Sequence, residues 1–195
     1  MGILDALLGR SKPAQANLDK LFGLPGARIT LEASEGLEPT GQAGVCFKPA
    51  SGQAFAATEQ EFTQLLNLGN ETGAHMAESS DEYGYRWVVI SAADFDSLVT
   101  RVHMTNSTLQ ENGYGPQLLC SVFGFRPKQD GSSTSPPSTY LVYLYKRGTF
   151  YPFVPKGKEH RDNEAELRLK NELKEDLAIE PDLSRWFPIW SLPVH

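Results

Sequence analysis

The chain has 195 residues, of which 40% are hydrophobic and 22% charged, the proportions of an ordinary globular protein with one core. Its formal net charge of -6 argues against a sequence-independent nucleic-acid binder, which needs a basic face to displace counterions. No run approaches the ~18 apolar residues of a membrane span, and the short N-terminal apolar run is broken by Asp5 and followed, not led, by Arg10 and Lys12, so no secretory signal is read and a cytoplasmic protein is expected.

Ile3, Leu4, Leu7 and Leu8 fall on one helical stripe that Gly9 and Pro13 stop. Residues 1–16 therefore read as a short amphipathic helix with a linker, Ser11 to Ala16, and residues 17–195 as a single domain. Under two turns of helix are unstable alone in water. The stripe must dock on the domain, on a protein partner or on a membrane surface, where its aliphatic side chains insert while Arg10 and Lys12 meet anionic headgroups.

Asn17 is placed to cap a brief helix holding Leu18, Leu21 and Phe22, which Pro25 and Gly26 end. Ile29 and Leu31 alternate with Arg28, Thr30 and Glu32, the pattern of a half-buried strand, and Gly36, Pro39 and Gly41 lead to a second strand, Gly44 to Lys48, as its hairpin partner. Phe55, Phe62, Leu65 and Leu66 share one side of a helix, whereas Asn70 to Asp81 is polar and aperiodic and reads as an exposed loop. Tyr85 to Ser91 is a buried strand. The following helix carries Phe95, Leu98, Val99, Val102, Asn106 and Leu109 on one face and stops at Asn112-Gly113. Leu118 to Phe125 is the next strand, and the Ser- and Pro-rich run Arg126 to Pro137 is a flexible loop.

From Ser138 to Pro155 the pattern is densest. Tyr140, Val142 and Leu144 point one way and Leu141, Tyr143 and Tyr145 the other, so this strand is apolar on both faces and belongs inside a covered sheet. Lys146 and Arg147 precede Gly148-Thr149, which suit a two-residue type II′ turn, and Phe150 to Val154 returns as an edge strand because Pro152 lacks a ladder donor. Asp162 is placed to cap a last helix with Ala165, Leu169, Leu173 and Leu177 as its buried stripe and with Glu164–Arg168 and Glu166–Lys170 as exposed pairs. Pro181 closes that helix, and the aromatic run Trp186 to Trp190 is expected to dock on the domain. The alternation of strands and helices predicts an α+β fold, a mainly antiparallel sheet of five to six strands carrying three main helices.

No motif for catalysis stands out. His103 would need a second His four residues on and a Glu beside it to make a zinc-protease helix, but Ser107 and Met104 hold those places. His75, His160 and His195 have no ligand spacing, and neither a nucleophile elbow nor a phosphate-binding glycine loop is present, so no catalytic residue, metal or cofactor is assigned. A competing reading is a small-molecule enzyme or ligand-binding protein with a pocket around His103, Asn106 and Tyr83. Cys46 and Cys120 sit in apolar runs and are expected to be reduced, and either far apart or buried and inert; a thiol switch would require neighbouring strands with Cα atoms within ~7 Å.

The stretches MGILDALLGRSKP, NLDKLF, ITLEASEGLEPTGQAGVCF, DEYGYRWVVI, LVTRVHMTNSTLQENGYGPQLLCSVFGF, YLYKRGTFYPF and EPDLSRWFPIW, in this order, resemble the PspA-associated PspAB family over nearly the whole chain. The resemblance implies a role with PspA, a coiled-coil protein that protects the cytoplasmic membrane, in the phage-shock-type envelope stress response. It implies no catalytic residue. It marks Lys146, Arg147, Tyr151, Phe153 and Arg161 as candidates for partner binding, and two cations at a turn beside aromatic edge suit an acidic helix or a phosphate headgroup. Ile3, Leu4, Leu7 and Leu8 are the candidates for docking on PspA or on an anionic membrane surface.

Overall fold

The computed structural model describes residues 17–48, 75–128, 138–157, 159–190 and 192–194. The N-terminal stripe, the helix expected around Phe55 to Leu66 and most of the Ser- and Pro-rich loop lie outside these residues. The described chain is an α+β fold: one six-stranded antiparallel sheet with three helices packed on it. The helices are α1 (Leu24–Glu35), α2 (Phe95–Leu109) and α3 (Asn163–Leu173). The strands are β1 (Leu37–Phe47), β2 (His75–Ser80), β3 (Arg86–Ser91), β4 (Leu118–Pro127), β5 (Thr139–Leu144) and β6 (Thr149–Phe153), in the spatial order β2-β3-β1-β4-β5-β6.

The strand expected at Arg28 to Glu32 is instead helix. Leu24, Ala27 and Leu31 are the buried residues, spaced at three and four, while Ile29 is 60% exposed. The short alternation fitted either period; Pro25 in the first turn and Gly36 in the left-handed conformation (φ 62°) mark where the helix starts and stops. The second strand of the expected hairpin then becomes β1, eleven residues long, which pairs with β3 and β4. Part of the expected loop at 70–81 is strand as well: β2 pairs with β3 from His75↔Ser91 to Ser80↔Arg86 and carries the exposed Ala77, Glu78 and Ser80 that an edge strand tolerates.

β5 and β6 form the expected hairpin, with β6 at the sheet edge. Its turn is longer than two residues. Leu144 pairs with Thr149, leaving Tyr145 to Gly148 as a four-residue loop in which Gly148 takes a positive φ of 64° and its N–H donates to Leu144 O at 2.8 Å. The outer edge of β6 is capped by chain: Phe150 N donates to Ala178 O, and Glu180 N donates to Phe150 O.

Both faces of the sheet are apolar. On one, Val45, Ile90, Phe123, Leu141 and Tyr143 pack against Leu24, Leu31, Leu98, Val102, Leu169 and Leu173 of the helices. Asp94 and Asp162 cap α2 and α3, accepting from the backbone N–H of Ser97 and Ala165. On the other face, Trp87, Val122, Tyr140, Val142, Tyr151 and Phe153 are covered by an irregular strap, residues 186–190 and 192–194, in which Trp186 and Val194 are buried. The strap fits because two positions have no side chain. A Cβ on Gly44 would lie 3.0 Å from Val194 and 3.0 Å from the Trp87 ring, and one on Gly124 would lie 3.2 Å from Val194. Cys46 and Cys120 are free, buried and belong to this second-face cluster.

Gly44→Val is therefore expected to lower stability by about 1–3 kcal/mol through overpacking, read as a fall in the denaturant midpoint at unchanged slope. Gly84→Ala, at a turn where a Cβ meets nothing within 4 Å, carries only the strain of its positive φ and is the control.

Candidate functional site

The β5–β6 turn presents Lys146 and Arg147 at one end of the sheet, as the sequence predicts, and the fold adds a third cation. The short 3-10 helix Leu18–Gly23 passes under the turn, so that Lys20 Nζ lies 3.7 Å from where a Gly148 Cβ would sit. Tyr143 anchors this approach by donating its hydroxyl to Asn17 O at 2.9 Å. Lys146 is exposed and Lys20 half-buried, and neither has an ion-pair partner among the described residues.

Arg147 differs. Its Nε donates to Glu180 Oε2 at 2.7 Å, and the Glu180 side chain is fully buried. Thr149 Oγ1 donates to the same oxygen at 2.7 Å, and Asp182 N donates to Oε1 at 3.1 Å. Burial alone would push this carboxyl up; the bonds from Thr149, Arg147 and the Asp182 amide outweigh it and hold Glu180 below the ordinary carboxylate value. No short-range pattern in the sequence links Arg147 to Glu180; the bulge of chain that caps the β6 edge brings them together.

Arg161 is also committed to structure. It donates through Nε to Glu166 at 2.9 Å and through Nη1 to Trp186 O at 2.6 Å, and its guanidinium lies 5.4 Å from the Phe153 ring centre. Glu166 is 2% exposed and also accepts from Val154 N at 2.9 Å, so the exposed Glu166–Lys170 pair of the sequence reading is replaced by a buried clamp tying β6, α3 and the strap. Arg168 likewise turns to α1, forking onto Glu35 at 2.7 and 3.0 Å. Tyr151 and Phe153 are 1% and 0% exposed, the first donating its hydroxyl to Phe187 O at 2.8 Å and the second packed on Trp190. The aromatic edge expected beside the cations is thus interior, and it supports the turn without facing solvent. The candidates Ile3, Leu4, Leu7 and Leu8 lie outside the described residues.

The pocket imagined around His103, Asn106 and Tyr83 does not assemble. Asn106 is 1% exposed and donates to Val102 O and Ser121 Oγ, both at 2.9 Å, in a filled core. Tyr83 is exposed in the β2–β3 turn. His103 lies on another face of α2, 3.4 Å from Asp19 and with its ring tilted against Phe22, beside an open hollow of about 310 Å³ lined by Asn17, Asp19, Ser107, Gln110 and Glu111. Among the described residues no helix is long and apolar enough to cross a membrane.

Because Glu180 titrates lower folded than unfolded, its contribution to stability is present above the unfolded carboxylate range and is lost as pH falls through the folded value. Acid unfolding followed by tryptophan fluorescence should show this: Glu180→Gln is expected to be less stable at neutral pH and to lose less stability between about pH 5 and 3. Arg161→Met, which leaves Glu166 buried without its cation, is expected to cost about 3–5 kcal/mol in denaturant titration.

No curated protein and no solved structure matches the chain. The family model of PspA associated protein B matches residues 1–194, and the chain therefore belongs to the PspAB family.

Proposed function

We propose that the chain is a non-enzymatic adaptor or regulator that binds PspA in the envelope stress response, working in the cytoplasm with peripheral contact to the membrane surface. The observation that carries this reading is the family match over residues 1–194, whose description implies a role linked to PspA. The cationic turn supplies the contact. Lys20 and Lys146 stand on a chain of net charge -6, and isolated cations on such a background steer an acidic partner into register. Arg147 holds Glu180 and so serves as the base of the site. The described chain begins at Asn17, whose carbonyl accepts from the Tyr143 hydroxyl beside the same turn, so Ile3, Leu4, Leu7 and Leu8 are joined to the domain at its cationic end.

One observation favours a second reading, a small-molecule ligand in the hollow beside His103, where a histidine, two carboxylates and two amides converge on about 310 Å³. A ligand there raises the thermal midpoint in proportion to its concentration over Kd.

Co-purification with PspA from stressed cells tests the main reading. The Lys20→Glu, Lys146→Glu double variant, which leaves the Arg147–Glu180 pair in place, is expected to weaken capture about tenfold or more at unchanged thermal midpoint. Unchanged capture removes the turn from the interface, and failure of the parent chain to capture PspA overturns the adaptor. Deleting residues 2–10 is expected to leave the midpoint nearly unchanged while reducing capture by PspA or by anionic liposomes.

A further inference from the structure

Cys46 and Cys120 are direct partners in the register of β1 and β4. Opposed residues in an antiparallel pair hold their Cα atoms about 4.5 or 5.5 Å apart, inside the ~4.4–6.8 Å that natural disulfides span. Both side chains belong to the same second-face cluster, so they point to the same side of the sheet. Of the two expected alternatives, far apart or buried and inert, the first does not hold, and both cysteines are buried. Both are free in the structure, with Cys46 4% and Cys120 9% exposed. They share their cluster with Trp186 and Val194, the two buried anchors of the strap.

We infer that Cys46 and Cys120 form a dithiol–disulfide site gated by the strap. Its co-reactant is a small-molecule disulfide. Cys120, the more accessible thiol, attacks one sulfur of the disulfide as thiolate and forms a mixed disulfide, releasing the first small thiol. Cys46 then attacks the Cys120 sulfur, closing the Cys46–Cys120 bond and releasing the second small thiol. Two protein thiols are oxidised, one disulfide is reduced to two thiols, and the two protons leave with them. The contact with Cys120 and burial both push the Cys46 thiol above its ordinary range, so the closed molecule reacts slowly. Opening the strap removes the burial. The strap is held at Trp186 by its indole N–H on Glu180 O at 3.1 Å, by Arg161 on its carbonyl, and by stacking on Tyr151 with ring centres 5.9 Å apart. These are local contacts, of the kind that open without global unfolding.

The test incubates the full chain under native conditions with excess hydroxyethyl disulfide and follows it by peptide mass spectrometry, with near-ultraviolet circular dichroism to confirm the fold. The expected product is a monomer that has lost two hydrogens, carries the Cys46–Cys120 link and returns to the dithiol in dithiothreitol. Trp186→Ala is expected to form the link about tenfold faster; Val194→Ala, a smaller change at the other anchor, makes the same comparison should Trp186→Ala fail to fold. Cys46→Ser should abolish the link. The inference is overturned if both thiols persist, if only mixed disulfides with the probe or intermolecular links appear, if linkage requires denaturant, or if loosening the strap leaves the rate unchanged.

Discussion

A sheet that is apolar on both faces has to be covered twice, and the arrangement of the described chain follows from that requirement. Strands β4 and β5 bury most of their residues, with Val122, Phe123, Leu141 and Val142 all fully inaccessible. Three helices meet the demand on one face through ordinary stripes at helical spacing. On the other face the cover is an irregular segment, and irregular chain brings backbone polar groups into a dry place. The structure answers with long-range donors: Arg161 takes the carbonyl of Trp186, and Tyr151 that of Phe187. The buried polar groups Glu166 and Glu180 are thus consequences of using a strap where a helix would have needed none.

What was legible in the sequence divides along the range of the signals. Patterns that repeat over several turns or alternate over six residues were read correctly: α2, the Asp162 cap of α3, the two-faced β5 and the edge position of β6 that Pro152 requires. Patterns of three or four residues were not. Ile29 and Leu31 satisfy period 2 as well as Leu24, Ala27 and Leu31 satisfy period 3.6, and Pro25 in the first turn and Gly36 past the end decide between them. β2 has almost no apolar content to announce it, because an edge strand held by β3 alone needs little.

The candidate site was legible in its surface and illegible in its foundations. Lys146 stands where turn chemistry puts it, but Lys20 joins it only because the 3-10 helix Leu18–Gly23 runs beneath Gly148. Tyr151, Phe153 and Arg161 looked available since aromatic and cationic residues near a turn are common in interfaces. Their burial depends on a strap more than thirty residues away from the hairpin, as the contact of Tyr151 with Phe187 shows. Residues that a family resemblance marks can therefore be there for the support of a surface and not for the surface itself.

Glu180 touches three parts at once: it accepts from Arg147 at the turn, its amide donates to Phe150 on the sheet edge, and its carbonyl accepts from the Trp186 indole. A carboxylate that recruited Arg147 would leave the Glu180 side chain enclosed with one counter-charge fewer. A ligand of Lys20 and Lys146 alone would leave that pair in place, so the turn holds two kinds of cation: two without an ion-pair partner among the described residues, and one already committed to the fold.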